Sequence, residues 1–219
     1  MLCSLSSRPL FMFSVMASTV IAGATIASLG SDARASTAQA SAAKGGDTAS
    51  AAVSYDVDDV HSKALFRVHH LGAGQFWGVF EDVKGTATYE PGKKLSLDVS
   101  IDTKSVDSGN SDLDEHLRSP DFFDVKEFPA MTFKSKNGVL KSPGTWEVCG
   151  DLSMHGQTHE ACATITMTGS ADTAKGRKAG FEATFTIKRS QWGMTYGVEK
   201  NSLGDEVRVI VALEAGKAS

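Results

Sequence analysis

The sequence predicts an all-β protein in which about eight antiparallel strands close into a barrel, with a short helical insertion near residues 110–128. After residue 55, apolar residues mostly alternate with polar ones instead of recurring every three or four positions. The 21 glycines indicate many turns, and every proline beyond residue 35 falls outside the alternating segments. Strands with one apolar face must close into a barrel or pack as a sandwich, because an open sheet leaves that face and two edges in water. We expect the barrel.

Residues 1–35 have the layout of a secretory signal peptide. A basic start with Arg8 precedes an apolar stretch over residues 10–29, and Ala33-Arg34-Ala35 matches a cleavage site. We predict cleavage after Ala35 and no stable membrane anchor afterwards; the alternative is a retained anchor, because the stretch is nearly long enough to span a bilayer. Residues 36–54 are small and polar, which is typical of a flexible linker. The folded domain is expected over residues 55–216.

Seven or eight segments from Tyr55 onward show the period-two alternation of half-buried strands. The strongest lie at residues 94–103, 181–188 and 206–214, and the weaker ones at 63–70, 78–89 and 130–136. Gly85 interrupts the second weak segment, as a bulge would. Turn sequences separate the segments at residues 90–93, 137–138 and 142–144.

The alternation breaks at the predicted helical insertion. Ser111 to Asp114 resembles a capping box, which starts a helix with Leu113, His116 and Leu117 on one face. Pro120 disfavours its continuation through Ser119. Such an insertion can cover one open end of a barrel.

Two cysteines, Cys149 and Cys162, remain after the predicted cleavage. His155-Gly156 suits a two-residue type I′ turn, which places Met154 opposite Gln157 and therefore Cys149 opposite Cys162. A non-hydrogen-bonded pair of this kind has Cα atoms about 4.5 Å apart, inside the disulfide range. We predict a cross-strand disulfide on the outer face; the alternative is two free thiols.

Charge and motif content argue against several functions. With 22 Lys and Arg against 26 Asp and Glu, the chain has a net charge of -4 and offers no large basic surface for nucleic acid or for anionic lipid. No metal site is predicted, because His155 and His159 lie across a turn and not at a helical spacing. The sequence contains no nucleophile elbow, phosphate loop or dinucleotide motif, so we predict a protein that is not an enzyme. His70 shares the side of Phe66 and Val68, either at a cavity wall or as a hydrogen-bonded core histidine.

Residues 116–125, followed by Phe128-Pro129 and residues 132–135, resemble the YceI-like family of secreted bacterial polyisoprenoid-binding proteins. Further matches follow in order at His61-Ser62, Phe66, His70-Leu71, Gly78, Phe80, 105–107, 150–152, His155-Gly156, Thr158, Arg189-Ser190 and 192–194. The resemblance covers roughly residues 55–215. It implies a lipocalin-like barrel in the periplasm that holds a long isoprenoid or similar amphiphile in an interior tunnel, without catalysis. The cysteine pair is not part of the family pattern, so its prediction rests on register alone.

The inward positions mix small and bulky side chains, which leaves room for a tunnel, although a solid core is the alternative. The expected lining is Phe66, Val68, His70, Phe133, Trp146, Val148, Ala161, Ala163, Ile165, Phe181, Phe185, Trp192 and Met194. A polar head group is expected at a mouth near His70, Arg118 and the 190–197 loop.

Two other functions stay open at this point. One is a secreted enzyme acting on an isoprenoid or fatty-acyl lipid, and the other is a ligand-free stress or interaction protein with a filled barrel. No cofactor is expected, unless the bound lipid is an isoprenoid quinone. The head group, the chain length and the presence of a homodimer are not determined by the sequence.

Overall fold

A computed structural model of the chain describes residues 51–218. The predicted signal peptide and residues 36–50 of the predicted linker lie outside these residues. The first strand begins at Val53, within the segment expected to be linker. Within the described range, no helix has the length and apolar character that crossing a bilayer requires.

The described residues form eleven strands, one α-helix and two short 3₁₀ helices. The strands are β1 Val53–Val57, β2 Lys63–His70, β3 Gly74–Phe80, β4 Val83–Glu90, β5 Lys94–Asp102, β6 Val106–Asp107, β7 Ala130–Ser142, β8 Thr145–Met154, β9 Gln157–Thr173, β10 Gly176–Lys188 and β11 Leu203–Lys217. The helix α1 is Ser111–Arg118, and the 3₁₀ helices are Thr103–Ser105 and Arg189–Trp192.

Eight antiparallel strands close a ring in the order β1, β4, β5, β7, β8, β9, β10, β11 and back to β1. The ring closes because β11 is long enough to have two partners on one edge. Residues 215–217 of β11 pair with β1, and residues 203–212 pair with β2, from which the sheet continues to β3 and β6. The predicted eight-stranded antiparallel barrel with one short helix is confirmed.

Two polar contacts hold the connection between β1 and β2 where β11 changes partner. The buried Ser62 hydroxyl donates to the Glu214 carbonyl at 3.3 Å and accepts from the Glu214 N–H at 3.0 Å. The Lys178 ammonium of β10 lies 2.7 Å from both Asp58 Oδ2 and Glu214 Oε1. The connection is therefore tied to both β10 and β11.

The turn predicted at residues 137–138 is wrong, because β7 continues through Asn137 and Gly138 to Ser142. A register shift between Ser135 and Asn137 absorbs the irregularity. A Cβ atom at Gly138 would lie 2.7 Å from the Leu95 carbonyl oxygen, so the glycine permits close packing of two strands. The chain instead turns at residues 143–144, as predicted.

The predicted strand at 78–89 is in fact two strands, separated at residues 81–82 and not at Gly85. Gly85 lies within β4 at φ +144°, and a Cβ atom there would collide with the Asp98 carbonyl oxygen of β5. Glycine is required because of this close backbone approach and the positive φ.

The two ends of the barrel differ in what fills them. The filled end contains the β4–β5, β7–β8 and β9–β10 turns, and there Trp146 and Phe181 are fully buried. Tyr89 packs edge-to-face against both, with ring centroids 5.6 Å from Trp146 and 6.2 Å from Phe181. The mouth end contains the β2–β3 and β8–β9 turns, α1 and residues 189–202. A cavity opens at this end.

Candidate functional site

The cavity occupies the half of the barrel next to the mouth end and has a volume of about 440 Å³. Volumes in this range are typical of small-molecule binding sites. Its wall consists mainly of aliphatic and phenylalanine side chains from β2, β3, β5 and β7–β11, and α1 borders it at the mouth end. The arrangement suits an apolar molecule that enters from the mouth end.

Nine of the predicted lining residues border the cavity: Phe66, Val68, His70, Phe133, Ala161, Ala163, Ile165, Phe185 and Met194. The other four do not border it. Trp146, Val148 and Phe181 are buried in the filled end, and Trp192 is buried with its Nε1–H donating to the Leu152 carbonyl at 3.1 Å.

Small side chains create the hollow. Ala161, Ala163 and Ala183 face inward on neighbouring strands, β9 and β10, and all three border the cavity. Their larger neighbours Phe133 and Phe185 are only half-buried, although they also face inward. An inward phenylalanine that retains exposed surface borders open space and not packed atoms.

The sequence interpretation missed several wall residues. Those on predicted strands follow from the same alternation and include Leu97, Val99, Ile101, Val207, Val209, Val211 and Leu213. Phe76 lies before the predicted start of its strand, and no signal in the alternation indicated it. Phe122 and Phe123 belong to the helical insertion and to the family pattern but were not predicted to line the cavity, and the structure places both on its wall.

An aromatic cluster forms one side of the cavity. Phe66 lies with its ring centroid 5.5 Å from that of Phe80 and 6.1 Å from that of Phe123. Phe80 and Phe123 meet edge-on at 5.0 Å. These contacts anchor the segment after α1 to the β2–β3 hairpin, and they present ring faces and edges to the cavity.

The helix α1 lies at the mouth of the cavity, with Leu113, His116 and Leu117 on the wall. The predicted capping box at Ser111 is wrong by one residue, because Asn110 Oδ1 accepts from the Leu113 N–H at 3.0 Å and caps the helix. The shared inward face of the three helix residues is as predicted.

Asp114 has a different role from the one a capping box would give it. Its carboxylate accepts from the Ser108 N–H at 2.7 Å and from the Ser108 hydroxyl at 2.6 Å. These hydrogen bonds hold the pKa of the Asp114 carboxyl below its usual range. They fasten the start of α1 to the segment after β6.

Three rings meet at the mouth. His116, Phe122 and Tyr196 contact one another with centroid distances of 5.0, 5.1 and 5.1 Å. His116 Nε2 also lies 2.9 Å from Asp121 Oδ2. His70 is exposed and also borders the cavity, so it is a wall residue and not the core histidine that the sequence also allowed. The mouth thus carries imidazole and phenol groups.

Arg118 does not border the cavity. Its guanidinium donates from Nε to the Lys104 carbonyl at 3.1 Å and from Nη2 to the Val106 carbonyl at 2.6 Å. The structure therefore places this side chain behind α1, where it ties the helix to the segment before it. The sequence could not show this contact, because both acceptors are backbone atoms.

Arg189 borders the cavity but is 5% exposed. It donates to the carbonyls of Gly204, Met194 and Tyr196 at 2.8, 2.9 and 2.7 Å. Burial lowers the pKa of the guanidinium, and Asp205 opposes this effect. Because its N–H groups are used by carbonyls, Arg189 positions the 193–204 loop that supplies Met194 and Tyr196 to the wall.

The predicted disulfide is confirmed. Cys149 and Cys162 are bonded, are directly opposite in the β8–β9 register and have Cα atoms 4.0 Å apart. The turn that sets this register has His155 at φ 50° and Gly156 at φ 71°, as a type I′ turn requires. The His155 ring is held by Phe128, with ring centroids 4.8 Å apart, and by the Trp192 carbonyl, 3.0 Å from Nδ1.

One cluster among the described residues has metal-ligand chemistry, namely Asp58, His61 and Glu214. The Lys178 ammonium already lies 2.7 Å from both carboxylates. Hydrogen bonds from Lys178 and His61 hold the pKa of Asp58 well below its usual range. The cluster is therefore an ion-pair network that fastens strands.

Comparison with known proteins agrees with this architecture. The family model described as a YceI-like domain matches residues 55–215. The chain belongs to the YceI-like family. A UPF0312 protein of Vibrio cholerae is 35% identical over 142 residues, which cover 64% of this chain and 75% of that protein. The YceI protein of Salmonella arizonae is 33% identical over 173 residues, 77% of this chain and 88% of that protein.

Several solved structures are similar to this fold. The Campylobacter jejuni YceI protein has a TM-score of 0.63 at 27% identity, over 69% of this chain and 90% of that chain. Burkholderia cenocepacia BcnA has a TM-score of 0.66 at 24% identity, over 73% of this chain and 99% of that chain. A Saccharophagus degradans domain described as polyisoprenoid-binding has a TM-score of 0.60 at 14% identity, over 76% of this chain and 99% of that chain. The last two similarities establish the fold alone.

Proposed function

We propose that this YceI-like protein binds a polyisoprenoid or a similar long-chain amphiphile in the barrel cavity and carries it without chemical change. The observation that supports this most strongly is an apolar cavity of about 440 Å³ whose wall consists mainly of aliphatic and phenylalanine side chains. The polyisoprenoid-binding description of the Saccharophagus degradans domain, which shares the fold, is consistent with such a ligand.

The energetics favour a flexible apolar chain. Burial of each methylene group contributes about 0.8 kcal/mol, so a few isoprene units supply enough free energy for tight binding. The conformational entropy that a flexible chain loses on ordering opposes binding. We therefore expect the protein to bind ligands of different chain lengths with similar affinity, up to the length at which the chain reaches the filled end. Trp146 and Phe181 lie in that end and would limit how far a chain can extend.

The head group would stay at the mouth, beside His70, His116 and Tyr196. These side chains can donate and accept hydrogen bonds, whereas Arg118 and Arg189 direct their N–H groups to backbone carbonyls. We therefore assign contact with the head group to the histidines and the tyrosine instead of to Arg118.

The polar groups of the wall favour binding over catalysis. His70, His116, Thr132, Arg189 and Tyr196 border the cavity. Among the described wall residues, no hydroxyl is hydrogen-bonded to a histidine, which is the pairing that activates a nucleophile in hydrolases. A lipid recovered chemically unchanged after prolonged incubation with the protein is the expected result, and accumulation of a product would indicate an enzyme instead.

The test of binding is a variant that fills the cavity. Ala163→Phe directs a ring into the cavity, and Thr164→Phe adds the same ring at the next, exposed position of β9. We expect mass spectrometry of organic extracts to find lipid with the wild type and with the Thr164 variant, but not with the Ala163 variant. Equal lipid recovery from a folded Ala163 variant would show that the cavity is not the binding site.

We also propose a periplasmic location, which the layout of residues 1–35 supports. Amino-terminal sequencing of the protein recovered from a periplasmic extract is expected to start at Ser36. Recovery of the full-length chain from the cytoplasm would contradict this.

A further inference from the structure

Leu71, at the edge of the cavity mouth, is exposed to solvent and also has an unfavourable backbone conformation. Leu71 is 64% exposed and has φ 52°, a conformation that leucine rarely adopts. It lies at the tip of the β2–β3 hairpin, and its N–H donates to the Ser202 carbonyl at 2.8 Å. The wall residues His70 and Phe76 lie on either side of this tip, so Leu71 projects from the rim of the cavity.

The outer face of the same hairpin carries two unusual rows. In the first, Arg208, Arg67 and Trp77 are neighbours across β11, β2 and β3. The Arg67 guanidinium lies 5.7 Å from the ring centroid of Trp77, and Trp77 is 44% exposed. In the next row, Ile210, Leu65 and Val79 are also neighbours; all three are half-buried, and Leu65 also borders the cavity. The outer face of a barrel in water is normally polar, so this patch indicates a partner.

The β2–β3 hairpin differs in charge from the other segments at the mouth. Residues 67–80 contain no Asp or Glu, in a chain with 26 acidic residues against 22 basic ones. The acid nearest to Arg208 along β11 is Glu206, which pairs in register with Lys188. The segment on and after α1, which packs against this hairpin through Phe123, is acidic, with Asp112, Asp114, Glu115, Asp121 and Asp124. A negatively charged partner would therefore meet the hairpin and be repelled by the helix.

We propose that the docking face, defined as Leu71, Trp77, Arg67 and Arg208, seats on the surface of an anionic lipid bilayer. Tryptophan and arginine are suited to the membrane interface, and a projecting leucine can enter the outer part of the acyl region. The cavity mouth then opens toward the bilayer, and a ligand passes between them without crossing water. The transfer of a ligand between bilayer and cavity rests on the proposed function, whereas binding of the protein to the bilayer does not.

The test uses vesicles of phosphatidylglycerol and of phosphatidylcholine. Two arginines near an anionic surface predict about thirtyfold tighter binding to phosphatidylglycerol, lost at high salt. Trp77 reports contact, because Trp146 and Trp192 are each 1% exposed, and a blue shift of the emission on binding is expected. No binding to either vesicle, or equal binding to both, would overturn the proposal.

Leu71→Asn separates docking from folding, because asparagine tolerates positive φ better than leucine and should leave the melting temperature unchanged or raised. We expect at least about tenfold weaker vesicle binding, since a leucine leaves the membrane. The control is Val139→Asn on β7, an exposed position (53%) near the filled end, which should bind as the wild type does. Equal loss in both variants would overturn the proposal.

Two further outcomes are informative. A wild type that dimerises in solution and becomes monomeric on Leu71→Asn, with no vesicle binding, would assign the docking face to a second copy and overturn the proposal. If the wild type binds vesicles but no lipid can be extracted from it, the result would support docking and contradict the proposed function.

Discussion

The same strands build a solid barrel at one end and a hollow one at the other. Along β9 the inward residues change toward the mouth from Ile165 to the smaller Ala163 and Ala161. Along β10, the fully buried Phe181 lies in the filled end, and the half-buried Phe185 borders the cavity. Side-chain volume at successive inward positions, and not the backbone, therefore determines where this barrel can hold a ligand.

Phe181 and Phe185 provide the sharpest test, because they are the same residue type on the same strand. Phe181→Ala is expected to lower the free energy of unfolding by about 3–5 kcal/mol, since it leaves a cavity in packed surroundings. Phe185→Ala is expected to cost about 1–2 kcal/mol, because its ring already borders empty space. Denaturant unfolding of both variants measures the difference. Equal losses would contradict the division into filled and hollow ends.

The disulfide joins β8 and β9, which run through both ends of the barrel, and it should therefore stabilise the whole barrel. Replacing Cys149 and Cys162 by alanine is expected to lower the free energy of unfolding by about 2–4 kcal/mol, because the unfolded chain regains conformational freedom. Reduction of the wild type should have a similar effect in denaturant unfolding. A double variant as stable as the oxidised wild type would show that the hairpin register needs no covalent restraint.

Adding volume should show the same division between the two ends as removing it. Ala179 and Ala183 both lie on β10, the first buried in the filled end and the second on the cavity wall. Ala179→Leu is expected to cost about 1–3 kcal/mol through overpacking, whereas Ala183→Leu should be close to neutral. Thermal unfolding of the pair decides between these expectations. A strongly destabilised Ala183 variant would mean that the wall has no spare volume.

The smallest expected effect concerns the ion-pair network around Lys178. Because the pKa of Asp58 is lower in the folded protein than in the unfolded chain, its contribution is present above about pH 4 and is lost as the pH falls further. Asp58→Asn should therefore reduce the acid-induced loss of stability without changing the binding of lipid in the cavity. Unfolding measured at pH 7 and pH 3 provides the check, and an unchanged pH dependence would contradict the assignment.

Much of this fold could be predicted from the sequence. Alternation on the predicted strands identified the inward faces, and turn chemistry at His155-Gly156 fixed a register that brought Cys149 opposite Cys162. The inward face of a strand and the register of a hairpin depend on residues close together in the chain, so the sequence pattern is enough to predict them.

The extent of the cavity could not be predicted in the same way. Trp146 and Phe133 are both inward, but only the pairing of distant strands determines that one lies in the filled end and the other on the cavity wall. The sequence shows the charge of Arg118 but not its acceptors, which are the backbone carbonyls of Lys104 and Val106. Asn137-Gly138 is a common turn sequence, and the approach of Leu95 kept it within a strand.

The most direct measurement is an experimental structure of the protein purified from its native host with whatever it has bound. We expect continuous ligand density that starts beside His116 and Tyr196, runs along the alanines of β9 and ends before Trp146. A cavity that contains only water, with lipid absent or bound on the outer surface, would show that the barrel does not bind the lipid.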